Sequence, residues 1–293
     1  RELHEYGWKV MLWNTHNLLP TDPNYKYGDE HGYFVKGEDG KTYNIPEGYG
    51  AGGCLDVTNP EAVAWWNSLY DPLLDMGVDG LFNDITNYID QEGRGRMVFS
   101  DGRTSEEVHN LYWLLFNKIT YEYMKEKTGG ETVLRVAGGW AGQQKYSTVW
   151  AGDSAATWQF LERDIRATLA SGWSGIPYFG YDIPGYSVPE GAPSPELYMR
   201  YCQLGALSPL MQFHSIARTE PWFYGEDAVA NLRMYGWLRE NFLPYIYSLA
   251  LEAEETAAPM ARSLVWQYPE DQQAASIQDE FLLGPSLLVA PLY

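Results

Sequence analysis

Short apolar runs that read as β-strands alternate along this chain with amphipathic helical stretches, and this alternation limits the fold more than any other feature. The strand candidates span 8–14, 78–84, 132–137, 147–152, 176–181 and 206–213. Helix candidates lie near 60–76, 105–127, 157–171 and 195–204, and a long helical region covers 226–257. A strand, a crossing helix and a second strand make the parallel β/α unit. Repetition of that unit points to part of a barrel or to a doubly wound sheet.

Two observations favour the barrel. No Gly-x-Gly-x-x-Gly opens a helix after the first strand, so the dinucleotide-binding fingerprint is missing. Polar or charged residues also recur at the carboxyl ends of successive strands: Asn14, Asp84, Arg135, Asp153, Asp182 and His214. In a (β/α)8 barrel those ends converge on one face, where the chemistry sits. Residues 15–55, rich in Gly, Tyr and Asp, are too long for an ordinary connection and are expected to form a lid or subsite loop on that face.

The chemistry expected at that face follows from its carboxylates. Asp84 closes the apolar run Gly80-Leu-Phe-Asn-Asp84, and Asp153 closes Trp150-Ala-Gly-Asp153. Each has a structural alternative. Asp84 could cap the next element, and Asp153 could be the N-cap of the 157–171 helix. Two carboxylates at adjacent strand ends are, however, what glycoside cleavage requires. One is ionised to attack or to activate water, and the other holds the proton the leaving oxygen needs. Competing chemistries find less support. The five His show neither His-x-His nor His-Glu-x-x-His, Gly172-Trp-Ser-Gly175 lacks the nucleophile-elbow spacing, and no phosphate loop occurs. A Mg²⁺ site on Asp84, Asp153 and Asp182 is disfavoured because Arg135 and Trp150 would crowd the same mouth.

Composition narrows the partner. With 20 Lys+Arg against 39 Asp+Glu the net charge is −19, which argues against nucleic acid or an anionic membrane surface. No apolar run is long enough to span a bilayer. The 12 Trp, 23 Tyr and 10 Phe suit either a large core or a cleft lined with flat apolar faces for sugar rings. Cys54 and Cys202 are too few for a disulfide framework or a structural zinc site. Residues 1–7 read as the last turns of a helix, and residues 281–293 stop inside an apolar segment, so the expectation is a piece of a longer protein. The compartment stays open.

Taken in order, the motifs resemble glycoside hydrolase family 31, the retaining α-glucosidase and α-xylosidase group. Trp8-Lys-Val-Met-Leu-Trp13 is similar to the family's Gly-x-Lys-Val strand, and Leu55-Asp-Val-Thr-Asn-Pro60 with Trp65-Trp66 to its Asp-x-Thr-Asn-Pro…Trp-Trp segment. The segment ending at Asp84 resembles the nucleophile motif, and Arg135…Gln144-Lys-Tyr146…Trp150-Ala-Gly-Asp153 the acid/base motif. Asp182-Ile-Pro-Gly-Tyr186 resembles Asp-Ile-Gly-Gly-Phe, and Ser208-Pro-Leu-Met-Gln-Phe-His214 with Glu220-Pro-Trp222 the last barrel strand. Leu243-Pro-Tyr-Ile-Tyr247 and Leu282-Leu-Gly-Pro-Ser-Leu-Leu-Val-Ala-Pro291 complete the series.

The resemblance implies Asp84 as nucleophile and Asp153 as general acid/base. It also places Arg135, Trp150, Asp182, His214, Trp13 and Phe82 around the non-reducing sugar. Without it, the favoured reading of Arg135 is a structural ion pair and that of His214 a satisfied buried histidine. A nearby Arg135 would favour the anionic form of Asp84, while the Trp150 face and the Asp84 charge would keep a proton on Asp153. The architecture implied is a partial (β/α)8 barrel over residues 1–257, holding strands three to eight with the 15–55 insert. Residues 258–293 then connect into a C-terminal β-domain, and the remaining domains of the parent chain are partners. The isolated piece, with open strand edges, is expected to be inactive or to aggregate. No cofactor or metal is called for. The default substrate is an α-glucoside; α-transglycosylation on the same site and a catalytically silent carbohydrate-binding relative are the alternatives. Departures from the family pattern fall at Phe82, Ile85, Thr86, Pro184, Tyr186 and Gln212, all of which shape the sugar subsite. They leave α-xyloside, α-galactoside, N-acetylated or sulfonated sugars open.

Overall fold

Three short parallel strands frame the first half of the chain: β1 (Met11–Asn14), β2 (Gly80–Asn83) and β3 (Val133–Val136), in spatial order β1-β2-β3. The register aligns Trp13 with Phe82 and Phe82 with Arg135, so these three side chains share one row on one face. The computed structural model describes residues 2–46, 51–84, 89, 96–130, 132–189, 191 and 193–293. Two compact units divide the chain, Arg1–Ser147 and Thr148–Tyr293.

In the first unit the helices are punctuated by their own sequence. Helix α1 (Pro60–Ser68) begins with Asn59, whose side chain accepts from the amides of Glu61 and Ala62, and with Pro at the first turn, where no N–H is needed. Helix α2 (Ser105–Lys127) opens with a capping box between Thr104 and Glu107, and Lys125 and Lys127 lie in its last turn. Its residues Val108, Tyr112, Phe116, Thr120 and Met124 recur every four positions and are buried, the stripe expected of a helix packed on a sheet. The helix expected over 60–76 is two helices, Pro60–Ser68 and Asp71–Asp75, because Pro72 has no N–H to bond back to Ser68. The 15–55 insert leaves from the carboxyl end of β1 and is itself folded. Asn17–Leu18 and Asn44–Ile45 flank Gly52–Cys54 in an antiparallel sheet, and Phe34, Val35, Cys54 and Leu55 are fully buried.

In the second unit β4 (Thr148–Trp150) pairs in parallel with β5 (Phe179–Gly180), and β6 (Asp182–Pro184) with β7 (Gln212–His214). Helices α3 (Trp158–Trp173), α4 (Pro195–Ala206) and α5 (Glu226–Thr256) share a core containing Leu161, Ile165, Tyr198, Tyr201 and Leu249. The strand expected over 206–213 is confined to Gln212–His214. Ala206 closes α4, and Pro209 has no N–H to offer a ladder. The unit ends in an antiparallel sheet of β8 (Ala261–Ser263), β9 (Phe281–Leu283) and β10 (Leu287–Val289). Among the described residues no helix is long and apolar enough to cross a membrane.

Candidate active site

Asp84 follows directly on β2, and its backbone amide donates to the carbonyl of Asn14 at 2.9 Å, which ties it to the end of β1. The indole Nε1 of Trp13 donates to Asp84 Oδ2 at 3.0 Å. That bond fixes the plane of the carboxylate from one side. Trp13 is 55% exposed, so its ring forms an accessible apolar surface beside the carboxylate. The guanidinium of Arg135 lies 4.4 Å from the centre of the Phe82 ring, a cation–π arrangement that follows from their shared register row. The first unit thus brings together Trp13, Phe82, Asp84 and Arg135. Ile85 and Thr86, two of the departures from the family pattern, lie outside the described residues.

Behind this carboxylate runs a chain of buried amides that the sequence reading missed. Asn14 Nδ2 donates to Asn83 Oδ1 at 2.7 Å, and Asn83 Nδ2 donates to Asn117 Oδ1 at 2.9 Å. Asn117 Nδ2 then donates to Gln143 Oε1 at 3.1 Å, and Gln143 Nε2 to Ser147 Oγ at 2.7 Å. Asn83 and Asn117 are fully buried, where an unmatched amide would be costly, so the chain cross-links the ends of β1 and β2 to α2. Its signal was present: Asn117 and Thr120 interrupt the apolar stripe of α2 with polar side chains.

In the second unit Asp153 is exposed on the loop that follows β4. It does not cap the next helix; Thr157 does, accepting from the amide of Phe160. Trp150, opposite Gly180 in the ladder, is 2% exposed. Asp182 begins β6 and is completely buried, opposite Gln212 of β7. Gln212 Nε2 donates to Asp182 Oδ1, and His214 Nδ1 lies 3.5 Å from the same oxygen. The His214 ring is half-exposed and faces Tyr186, with ring centres 4.8 Å apart. Asp182, Gln212, His214 and Tyr186 therefore make one polar cluster, which contains three of the departures from the family pattern once Pro184 opposite His214 is counted.

The first unit thus offers a strand-end carboxylate beside flat rings, and the second an exposed carboxylate and a buried polar cluster. Comparison with known proteins assigns the family. The family model described as "Glycosyl hydrolases family 31 TIM-barrel domain" matches residues 1–249, and "Glycosyl hydrolase family 31 C-terminal domain" matches 257–293. The chain is 32% identical over 288 residues to an α-glucosidase 2 of Bacillus thermoamyloliquefaciens, covering 94% of this chain and 36% of that protein. It is 31% identical over 293 residues to an α-xylosidase of Emericella nidulans, covering 99% and 37%. The chain thus spans little more than a third of the length of these curated relatives. Among solved structures, the family 31 dextranase of Flavobacterium johnsoniae complexed with glucose superposes with a TM-score of 0.93 at 30% identity, over 99% of this chain and 38% of that one. The cycloalternan-forming enzyme of Listeria monocytogenes, in complex with a pentasaccharide substrate, does so with a TM-score of 0.91 at 29% identity, over 99% and 29%.

Proposed function

The chain belongs to glycoside hydrolase family 31, and from that premise we propose that it removes a non-reducing-end α-linked sugar with retention, by double displacement at Asp84 and Asp153. The observation that carries this reading is the setting of Asp84: a carboxylate at the end of a parallel strand, held by the Trp13 indole at 3.0 Å. In the first step a carboxylate oxygen of Asp84 attacks the anomeric carbon while the glycosidic C–O bond breaks. The departing oxygen takes the proton of Asp153. The glycosyl ester so formed is opened when Asp153, now ionised, removes a proton from water and the water oxygen attacks the same carbon. Two inversions leave the α-configuration. By the family resemblance, Arg135, Trp13, Phe82, Trp150, Asp182 and His214 are the residues that would contact the sugar.

The default substrate is an α-glucoside, a reading supported by the similarity to the Bacillus α-glucosidase and to a dextranase solved with glucose bound. The similarity to the cycloalternan-forming enzyme favours a second reading, transfer of the glycosyl group to a sugar acceptor in place of water. Turnover of aryl α-glycosides (glucoside, xyloside, galactoside, N-acetylgalactosaminide, sulfoquinovoside) by the full-length parent protein tests the proposal, with Asp84→Ala and Asp153→Ala alongside. One sugar should be turned over, Asp84→Ala should abolish the reaction, and Asp153→Ala should lose on the order of 10²–10⁴-fold with an unactivated leaving group. Variants that keep wild-type turnover would remove both assignments. Acceptor-dependent products would select the transferase.

A further inference from the structure

The loop carrying Asp153 is built almost entirely from small residues: Ala151, Gly152, Ser154, Ala155 and Ala156. Such a segment has little side chain to pack, so its order must come from hydrogen bonds. Among the described residues of this loop, Ser154 is the one that is buried. Its carbonyl accepts from the amides of Tyr186 at 2.7 Å and Ser187 at 3.0 Å. Its hydroxyl oxygen accepts from Arg163 Nη2 at 2.5 Å and lies 3.4 Å from Asp164 Oδ1. Arg163 Nη2 also reaches Asp164 Oδ1 at 2.9 Å, and Tyr201 donates to Asp164 Oδ2 at 3.4 Å.

We propose that Arg163 and Asp164 are positioning residues for Asp153: by locking the Ser154 side chain they hold the backbone from which the acid/base carboxyl projects. This inference rests on the acid/base assignment above. Asp164 is completely buried while the Arg163 side chain stays 44% exposed, and neighbouring positions on a helix do not normally face each other. Arg163 must fold back along α3 to reach both Asp164 and Ser154. Burial pushes the Asp164 carboxyl up to about 6, with Arg163 opposing that rise and the charge of Asp182 adding to it. A buried ion pair contributes little net stability compared with well-packed apolar residues. What it supplies here is direction, because Nε and Nη2 of Arg163 both hold Asp164 Oδ1, which aims Nη2 at the Ser154 oxygen as an apolar contact would not. The opposite side of the loop is fixed by close approach. Gly185, at φ +106°, lies where an added Cβ would meet the backbone of Ala156 at 2.6 Å, next to the pairing of Ala156 N with Ser187 O.

The test uses Ser154→Ala and the double replacement Arg163→Met with Asp164→Leu, each made in the full-length parent protein; the double replacement exchanges the buried pair for apolar side chains and so preserves folding. Amide hydrogen exchange should accelerate in residues 151–157 and 186–187 and stay unchanged at β5. Unchanged exchange in the loop overturns the proposal. The ratio kcat/KM, which reports the glycosylation step and not the Asp153-assisted hydrolysis of the ester, is then compared on methyl α-glucoside, whose leaving group needs a proton, and 2,4-dinitrophenyl α-glucoside, whose leaving group does not. Asp153→Ala is the reference. The positioning variants should lose on the order of 10- to 100-fold on the methyl glycoside and little on the activated one, the cost of a carboxyl displaced by about 1 Å. An equal loss on both substrates, with Asp153→Ala still selective, means a merely structural pair and overturns the proposal. If Asp153→Ala is not selective either, the acid/base assignment has failed, and the positioning role falls with it.

Discussion

His16 is completely buried, and both of its ring nitrogens are without a hydrogen-bond partner among the described residues. Its ring meets Tyr112 and Phe116 of α2 edge-on, with centroids 5.4 and 6.2 Å apart. Burial pushes its pKa down to about 3 from an ordinary 6.5. The folded protein therefore holds the neutral imidazole while the unfolded chain takes up a proton below 6.5. A depressed folded pKa on a base means full stability above pH 6.5 and progressive loss as pH falls from there toward about 3. At pH 5 the unfolded imidazole is about 97% protonated, which corresponds to a loss of about 2 kcal/mol, rising to about 3 kcal/mol at pH 4. The pH 5 value depends almost wholly on the unfolded pKa, since the folded ring is still neutral there. The perturbation is His16→Phe, which keeps the edge-on ring contacts and cannot titrate. Urea unfolding of both proteins at pH 7.5 and pH 5 should show wild type losing about 2 kcal/mol more than the variant over that interval. Asp164 works in the opposite sense: its raised carboxyl adds stability as pH falls below about 6, but it does so in both proteins and cancels. Parallel pH dependence in the two proteins would refute the reasoning, because it would mean that the folded His16 accepts a proton as readily as the unfolded one.

Other consequences follow from particular contacts. Trp13→Phe keeps the ring but removes the donor to Asp84 Oδ2; kcat/KM should fall by about 10-fold, the loss of one charge-assisted hydrogen bond, while thermal stability is unchanged because the ring is already 55% exposed. Asn117→Leu breaks the buried amide chain at its centre: Asn83 Nδ2 loses its 2.9 Å acceptor and Gln143 Oε1 its donor, while Asn14, Thr120 and Ser147 still bond the two amides, so urea unfolding should show a loss of about 1–3 kcal/mol. An unchanged midpoint would remove the network from any structural role. Gly185→Ala places a methyl group 2.6 Å from Ala156 at a positive φ, and should cost about 1–3 kcal/mol and accelerate exchange of the Asp153 loop.

Much of this protein was legible from local pattern, because caps, periodicity and turn residues act over a few positions. Thr104 with Glu107, Asn59 before Pro60, and the four-residue stripe of α2 are local signals of this kind, lying within or beside the helix candidates near 60–76 and 105–127. The strand end that carries Asp84 is such a signal too, an apolar run stopped by a carboxylate, whereas Asp182, expected to close a strand, begins β6 instead. Pro72 and Pro209 show where the local reading was incomplete. A proline that cannot bond backward divided one expected helix and shortened one expected strand.

What the sequence by itself determined, then, is the order of strands and helices, the family they belong to, and the carboxylates available for chemistry. Tertiary structure alone decided which side chains meet. Trp13, Phe82 and Arg135 share a row only once β1, β2 and β3 adopt one register, a choice set by pairing between segments about 50 to 70 residues apart. The same holds for the amide chain from Asn14 to Ser147 and for the grip of Arg163 and Asp164 on Ser154. A buried polar group has to find a partner, but nothing within a few residues of it says which one. The answer appears only when packing removes water from every alternative.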